Sequence, residues 1–298
     1  MQLDSTQIAI RERGITDLMD LSLHVLRTHF VPFSLAFFVG AAPFMVLNHL
    51  LLYELADLDF SEGYASVEET PRLFGFLFFM GQLVFLESQI AGVLATKYLG
   101  EAVFFQSSKL TTMIKDVASM AGSLLWCQGV MRGVGLAFLL AWWGQESRAG
   151  LVLLTLLTLV MAVSRSLRPF LNEIILLERN PLRSSQKHMI TIGRRSNLLH
   201  SPSTGDLFAR FLGFSLVALA LWYAVFYASL SFSGIFLNDW TPGAVYVKYV
   251  SPFAMWVIAW FYTVVRFLSY LDLRIRHEGW EVELRMRAEA ARLAEKLH

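Results

Sequence analysis

Residues 211–238 read FLGFSLVALALWYAVFYASLSFSGIFLN, an apolar stretch without a charged residue. About 20 such residues in a helix are enough to cross the hydrocarbon core of a bilayer. Further stretches of this kind occur along the chain, and the sequence predicts six transmembrane helices at about residues 31–52, 73–96, 119–143, 149–170, 211–236 and 249–270. We therefore expect an all-α polytopic membrane protein. Residues 1–270 would form its membrane domain, as three hairpins with cytoplasmic amphipathic helices.

Positive charges fall into alternate segments between these stretches. Of the 25 Lys and Arg residues, all except Arg72, Arg132, Arg148 and Lys248 would lie on one side of the membrane if all six stretches span it. Basic residues concentrate in cytoplasmic loops of membrane proteins. The pattern thus supports six spans and predicts a cell inner (cytoplasmic) membrane location with both termini in the cytoplasm.

The composition favours a membrane protein over a soluble domain. Hydrophobic residues make up 55% of the 298 residues and charged residues 16%. Charged residues make up about 25% of an average soluble domain. The single cysteine, Cys127, lies inside a predicted span, and one cysteine excludes an intrachain disulfide.

The segments predicted to be cytoplasmic suggest contacts with lipid. Residues 5–29 are amphipathic, and they either lie on the membrane surface or extend span 1 into the cytoplasm. Arg165 and Arg168, at the end of span 4, are expected to extend toward the headgroups. The longest cytoplasmic loop, 172–209, is basic between 179 and 195, and each cation near anionic inner-leaflet lipids contributes about 1 kcal/mol. This loop matches no nucleic-acid-binding module, so we expect no nucleic acid as a partner.

Two charged residues lie within predicted spans. Glu87 lies in span 2 and Arg132 in span 3, each about 15 Å from the same predicted membrane boundary at 1.5 Å per residue. A lone charge at mid-bilayer costs about 3 kcal/mol or more, so we expect these two to form an intramembrane ion pair. Two interpretations stay open: a structural pair that joins spans 2 and 3, or a relay or substrate site.

Motifs of known catalytic chemistry are missing from the sequence. It contains no HExxH zinc helix, no GxSxG nucleophile turn and no glycine-rich phosphate loop, and its histidines show no ligand spacing within a span. We therefore predict no catalytic residues, no cofactor, no metal and a non-enzymatic protein.

The segment that ends span 6 reads YLDLRIRHEGW at 270–280 and continues to Leu284. It resembles the C-terminal Y-x-D-x-R-x-R-x-E-G signature of bacterial multi-pass membrane proteins of uncharacterised function. These are related to the membrane domain attached to some glycerophosphodiester phosphodiesterases. Residues 15–17, 26–30 and 99–101 are also similar to that family. The resemblance implies a helical inner-membrane protein without phosphodiesterase activity, because the catalytic barrel with its metal-binding residues is absent from this sequence.

Charged residues of the same segment alternate at the cytoplasmic end of span 6. They are Asp272, Arg274, Arg276 and Glu278. They would either clamp the hairpins together through ion pairs or dock a partner. Residues 271–298 are predicted to form a cytoplasmic C-terminal helix, because acidic and basic residues follow each other at i,i+4 spacing.

The sequence therefore predicts a type of protein more firmly than a function. With no catalytic motif and with charged cytoplasmic elements, we expect a non-enzymatic scaffold or accessory subunit that binds a protein partner through its cytoplasmic face. The alternative is a transporter or channel-like component with a polar path at Glu87 and Arg132. Spans broken by glycine or proline would favour that alternative, and Gly40 with Pro43 in span 1 hint at it.

Overall fold

The computed structural model describes residues 14–56, 70–103, 109–183, 190–238, 240 and 245–278. Within these ranges the chain is helical and contains no strand. The α-helices are α1 Ile15–Leu51, α2 Tyr53–Ala56, α3 Thr70–Ala91, α4 Val93–Val103, α5 Leu110–Ser119, α6 Ala121–Leu124, α7 Val134–Glu146, α8 Arg148–Leu167, α9 Leu171–Leu176, α10 Ile192–His200, α11 Thr204–Leu237 and α12 Ser251–Glu278. π-Helical turns cover Leu125–Val130 and Tyr246–Val250.

Five stretches of helix are long and apolar enough to cross a membrane. They cover Ile15–Leu51, Arg72–Ala91, Arg148–Leu167, Ile192–Phe236 and Tyr246–His277. A sixth span results if Ala121–Val130 and Val134–Glu146, which meet at an angle of 42°, cross together. The described chain is thus a helical protein with five to six candidate spans, in agreement with the predicted class.

The distribution of polar and apolar residues is the reverse of that in a soluble protein. Large apolar side chains on the outside are strongly exposed, among them Leu216, Ile235 and Phe236 at 68%, 68% and 69%. Charged side chains such as Glu87 and Arg132 are buried inside the bundle. Soluble monomers rarely expose apolar surface on this scale. Hydrocarbon is therefore the environment that this surface fits.

The amphipathic N-terminal segment and span 1 belong to one helix. The backbone of α1 leaves helical geometry at His29, where φ is −115° and ψ is 22°. Pro32 follows within one turn, and a proline ring clashes with the carbonyl four residues earlier, which explains a distortion at this position. The part of the predicted segment before residue 14 lies outside the described residues.

Helix α3 lies at the centre of the bundle. It packs against α1, α7, α8 and α12, whereas α11 packs at the edge against α8 and α12. Gly40 brings α1 so close to α3 that a Cβ there would overlap the backbone carbonyl of Ala91. At the turn between α7 and α8, a Cβ on Gly150 would lie 2.7 Å from the Cα of Gly144. Small residues permit such close helix contacts in membrane proteins.

The described residues between 172 and 209, which exclude 184–189, are largely helical, unlike the loop that we predicted. The short helix α9 is inserted into the bundle, where Asn172 and Glu173 are fully buried. Helix α10 follows, and its N-terminal Thr191 accepts a hydrogen bond from the backbone N–H of Arg194. The apolar residues Phe170, Ile174 and their neighbours fill a second hydrophobic core with the end of α12. Helix α9 and one face of α10 therefore belong to the packed interior.

Candidate functional site

The third predicted span is broken at Arg132. Before it, a π-helical turn ends at Val130, and after it α7 begins at Val134. Gly133 between the two has φ +66°, a left-handed conformation that strongly favours glycine. The surrounding sequence, GVMRGVG at 129–135, supplies glycines on both sides of the arginine. Discontinuous helices of this kind often form binding sites in membrane transporters.

Arg132 occupies the break with an almost completely buried side chain, 2% exposed. Its Nη2 atom donates a hydrogen bond to the backbone carbonyl of Arg168, the residue that follows α8. Its Nε and Nη1 atoms are buried and have no hydrogen-bond partner among the described residues. A buried guanidinium with two unsatisfied nitrogens is costly, because each donor has lost its water without gaining an acceptor.

Arg165 also enters the bundle. Its guanidinium donates to the backbone carbonyls of Phe85 and Leu86 in α3 and lies 4.5 Å from the centre of the Phe85 ring. Its side chain is 3% exposed. The prediction that Arg165 extends toward the lipid headgroups is therefore wrong, although Arg168 is exposed as expected. Arg165 turns inward because α3 offers carbonyl acceptors at this level.

Arg266 of α12 joins three segments. Its Nε donates to Oε1 of Glu173 over 2.8 Å, its Nη2 donates to the hydroxyl of Thr96 over 2.9 Å, and its Nη1 donates to Oε1 of Gln89. Glu173 is fully buried. A buried salt bridge is tolerated where further hydrogen bonds satisfy both partners. Arg266 fulfils this condition with all three nitrogens, whereas Oε2 of Glu173 is buried without a hydrogen-bond partner among the described residues.

Amide side chains extend this polar interior toward the broken span. Gln128, in the π-helical turn, donates through Nε2 to Oδ1 of Asn172 over 2.5 Å, and Asn172 donates through Nδ2 to the backbone carbonyl of Gln89 over 2.6 Å. These contacts connect the broken span, α9 and α3. We call these amide side chains, together with Arg132, Arg165, Arg266 and Glu173, the arginine cluster.

The arginine cluster carries an excess of positive charge. Arg132 lies within electrostatic range of Arg266 and Glu173, and Arg165 lies within range of both other arginines. The cluster thus contains three guanidinium groups and one carboxylate, of which Arg266 and Glu173 are in contact. Charges of one sign in a low-dielectric interior repel each other more strongly than in water. The cluster is therefore complementary to an anion.

Glu87 and Arg132 do not form the predicted ion pair. Oε2 of Glu87 accepts a hydrogen bond from Nδ2 of Asn48 in α1 over 2.8 Å, whereas Arg132 contacts the carbonyl of Arg168. No salt bridge between Glu87 and Arg132 occurs in the described part of the chain. The prediction placed both residues at one depth, but depth does not determine which side of a helix a residue faces.

The C-terminal signature contributes internal contacts. Oδ2 of Asp272, which is 2% exposed, lies 3.1 Å from Nη1 of Arg210 and 2.8 Å from Nη2 of Arg276. Arg274 lies 3.9 Å from Glu178, between α9 and α10. Arg210–Asp272 joins α11 to α12 and Arg274–Glu178 joins α12 to the segment before α10, whereas Asp272–Arg276 lies within α12. The clamp itself stays a prediction. The side chain of Glu278 and residues 279–298, most of the predicted C-terminal helix, lie outside the described residues.

Glu178 is the centre of a second ionic contact. It accepts hydrogen bonds from Arg195 in α10 and from the hydroxyl of Tyr270 in α12, the latter over 2.8 Å. Burial alone would raise the pKa of Glu178, but the hydrogen bonds from Arg195 and Tyr270 and the charges of Arg195 and Arg274 outweigh it. The pKa of this carboxyl therefore lies below its usual value. The carboxylate of Glu178 therefore connects α10 with α12, through Arg195 and Tyr270.

Sequence reasoning missed Gln89, Asn172 and Glu173. Gln89 is a single polar residue within a long predicted span, and Asn172 and Glu173 lie in a segment that we predicted to be a loop. A signal for the buried helix exists in the run FLNEIILL at 170–177, which is apolar apart from these two residues and follows Pro169. This run is too short to cross a bilayer, so the apolar pattern does not identify it as a span.

No family model matches this sequence, and no similar chain is found among curated proteins or solved structures. The resemblance to multi-pass proteins related to glycerophosphodiester phosphodiesterase membrane domains stays a prediction.

Proposed function

We propose that this protein is a membrane transport component that binds an anion at the break in its third span. The observation that carries the proposal is that the buried guanidinium of Arg132 has two nitrogens without a partner among the described residues. Arg132 belongs to the arginine cluster, which contains three arginines and one carboxylate. An anion would accept hydrogen bonds from these nitrogens and offset the excess charge. Arginine suits this role because its planar fork matches carboxylate and phosphate oxygens.

The helix break supports the same proposal. The first N–H groups of an α-helix lack intrahelical acceptors, and the N-terminus carries a partial positive charge. Helix α7 begins two residues after Arg132, so its positive end adds to the arginines. In membrane carriers, such half-helix ends point at the anionic groups of substrates. A broken span is the feature that we expected from the sequence to favour the transporter alternative, and the break at Arg132 is such a feature.

Topology and location follow from the charge pattern. In this proposal six helices cross the inner membrane as three hairpins, the arginine cluster lies in the cytoplasmic half, and both termini lie in the cytoplasm. The turn at Ser147 supports one hairpin, because α7 and α8 follow each other directly and pack together. Basic residues at the cytoplasmic side would contact anionic lipids.

Ligand-dependent stability tests the proposal. The protein is purified in mild detergent, and its melting temperature is followed by tryptophan fluorescence with inorganic phosphate, sulfate, acetate or succinate at constant ionic strength. A ligand at 100 times its Kd stabilises the folded state by about 2.7 kcal/mol. We expect at least one of these anions to raise the melting temperature of the wild type, and the Arg132→Gln variant to lose this response.

A matched control uses an exposed arginine. Arg194 is exposed in α10, so Arg194→Gln should keep the anion response. Arg132→Lys keeps the charge but loses the fork, which provides a folded comparison if the Gln variant is unstable. An anion that passes this test is then added in labelled form outside proteoliposomes, and its uptake is measured. Equal responses of wild type and Arg132 variants, or no uptake, would refute the proposal.

A second candidate is the scaffold or accessory subunit, which would be non-enzymatic as predicted. It is favoured by α11, because none of the most apolar 18-residue window between Ile192 and Phe236 is buried inside the protein. Such a span has surface for a partner helix. Affinity purification from native membranes in mild detergent tests this candidate. A stoichiometric partner would support it, and a protein that purifies alone would contradict it.

A further inference from the structure

Glu87 and Asn48 form a separate buried contact between α3 and α1. Glu87 is 0% exposed and Asn48 is 1% exposed. The hydrogen bond from Nδ2 of Asn48 to Oε2 of Glu87, at 2.8 Å, satisfies one atom of each side chain. An ionised carboxylate in this position would carry a full charge, and within the described ranges no cation contacts it. Buried charges without an opposite charge are strongly disfavoured.

The remaining atoms of the two side chains indicate which protonation state of Glu87 fits the site. Oε1 of Glu87 and Oδ1 of Asn48 are both buried and have no hydrogen-bond donor among the residues described. Both are acceptors when Glu87 is ionised, so neither can satisfy the other. A protonated carboxyl group gains one O–H donor. An acid and an amide then form two reciprocal hydrogen bonds, with the amide N–H donating to Oε2 and the acid O–H donating to Oδ1.

We propose that Glu87 and Asn48 form a proton-binding site, in which the resting protein holds Glu87 protonated. One proton then removes the buried charge and satisfies both unpaired acceptors. This site is separate from the arginine cluster, and the inference does not depend on anion binding. Buried acids inside membrane helices are typical of proton pathways in pumps and transporters. The ligand of this site is therefore the proton itself.

Charged groups on the neighbouring helices are directed elsewhere. From α8, Arg165 is bound to backbone carbonyls of α3, and from α12, Arg266 is bound to Glu173 and Gln89. Of the remaining neighbours, His49 of α1 stacks on Tyr249, Lys97 of α4 pairs with Glu101 and Asp116, and Glu54 of α2 and Glu146 of α7 are exposed. Among the described residues, Glu87 accordingly has no opposite charge in contact that would hold it ionised.

Infrared spectroscopy of the purified protein in lipid bilayers tests the proposal. At neutral pH, a C=O stretching band of a protonated carboxyl group is expected in the wild type, with a shift in heavy water. Glu87→Gln should lose this band and still fold, because a glutamine amide has the shape of the protonated acid and can form the same reciprocal pair with Asn48.

Two further variants sharpen the assignment. Asn48→Leu should shift the band, because the acid loses its amide partner, whereas Glu54→Gln should leave it unchanged, since Glu54 is an exposed carboxyl. If wild type and Glu87→Gln show the same spectrum at neutral pH, Glu87 is ionised and the proposal fails. A band that persists unshifted in Asn48→Leu would exclude the reciprocal pair.

Discussion

Replacing Arg266 by Met should destabilise the protein more than any single loss of an exposed charge. Methionine keeps much of the volume and removes the guanidinium. Glu173, which is fully buried, then loses its partner at 2.8 Å. Removing one partner of a buried pair costs about 3–5 kcal/mol, because the remaining charge stays buried without compensation. Gln89 and Thr96 each lose one hydrogen bond, and each loss adds about 1 kcal/mol to the cost.

An opposing effect reduces this cost. The positive charge of Arg266 acts on Arg132 and on Arg165, so its removal relieves repulsion within the arginine cluster. The costs above sum to about 5–7 kcal/mol, and with this relief we expect a net loss of about 4 kcal/mol. At roughly 2–4 °C per kcal/mol for chains of this size, the melting temperature should fall by about 8–16 °C.

A double-mutant cycle in detergent measures the pair itself. The four proteins are wild type, Arg266→Met, Glu173→Gln and the double variant, with melting followed by tryptophan fluorescence. Residues in contact show coupling of about 0.5–3 kcal/mol, and we expect the upper half of this range. Arg148→Met, at an exposed site, serves as control. The reasoning is refuted if Arg266→Met melts within about 2 °C of wild type or if the two effects add.

Three further contacts can be tested by melting temperature. Gly40→Ala should cost about 1–3 kcal/mol by forcing α1 away from α3, while Gly213→Ala, which meets open space, should not; equal effects would contradict the close contact. Because the pKa of Glu178 is lowered in the folded state, its stabilisation exists above the ordinary glutamate pKa and is lost as pH falls below about 5. The stability difference from Glu178→Gln should shrink over that window, and a constant difference would count against the ionic contact. Asp272→Ala should lower the melting temperature, as should Arg276→Ala to a lesser degree; unchanged melting in both would favour docking over the clamp.

The candidate spans could be predicted because a bilayer demands long apolar helices. That demand acts on each stretch separately, so it needs no knowledge of tertiary structure. The break at Arg132 was missed because glycines occur commonly inside membrane helices. In retrospect, an arginine flanked by Gly129 and Gly133 is the local signal, since it combines a costly charge with residues that permit a turn.

The partners of the buried charges could not be predicted in the same way. Spacing along the chain gives the depth of Glu87 and Arg132 in the membrane but not the direction in which each side chain points. The partner of Glu87 is a neutral amide in α1, and Arg165 takes backbone carbonyls as acceptors. Neither partner carries a charge, so a search for opposite charges does not find them.

The polar residues of α3 explain why this helix lies at the centre. Successive residues of an α-helix are about 100° apart, so Gln82 and Gln89 lie within about 20° of each other, whereas Glu87 lies about 140° and 160° from them. The glutamines face Thr158 of α8 and Arg266 of α12, and Glu87 faces α1. A helix with polar groups on two opposite sides cannot turn either side to lipid without cost. It must be enclosed by other helices.

This arrangement separates the two proposed sites by the width of α3. The proton site lies on the α1 side, and the arginine cluster lies on the side of α8 and α12. In a low-dielectric interior a charge on Glu87 still acts across a helix width of about 10 Å, and a movement of α3 would add a second route of coupling. Arg165 connects such a movement to the arginine cluster, because it donates a hydrogen bond to the backbone carbonyl of Leu86, the residue before Glu87. If the anion affinity of wild type stays the same when the pH is raised until the infrared band of protonated Glu87 is lost, the two sites act independently; a change in affinity that Glu87→Gln lacks would show that the proton affects the arginine cluster.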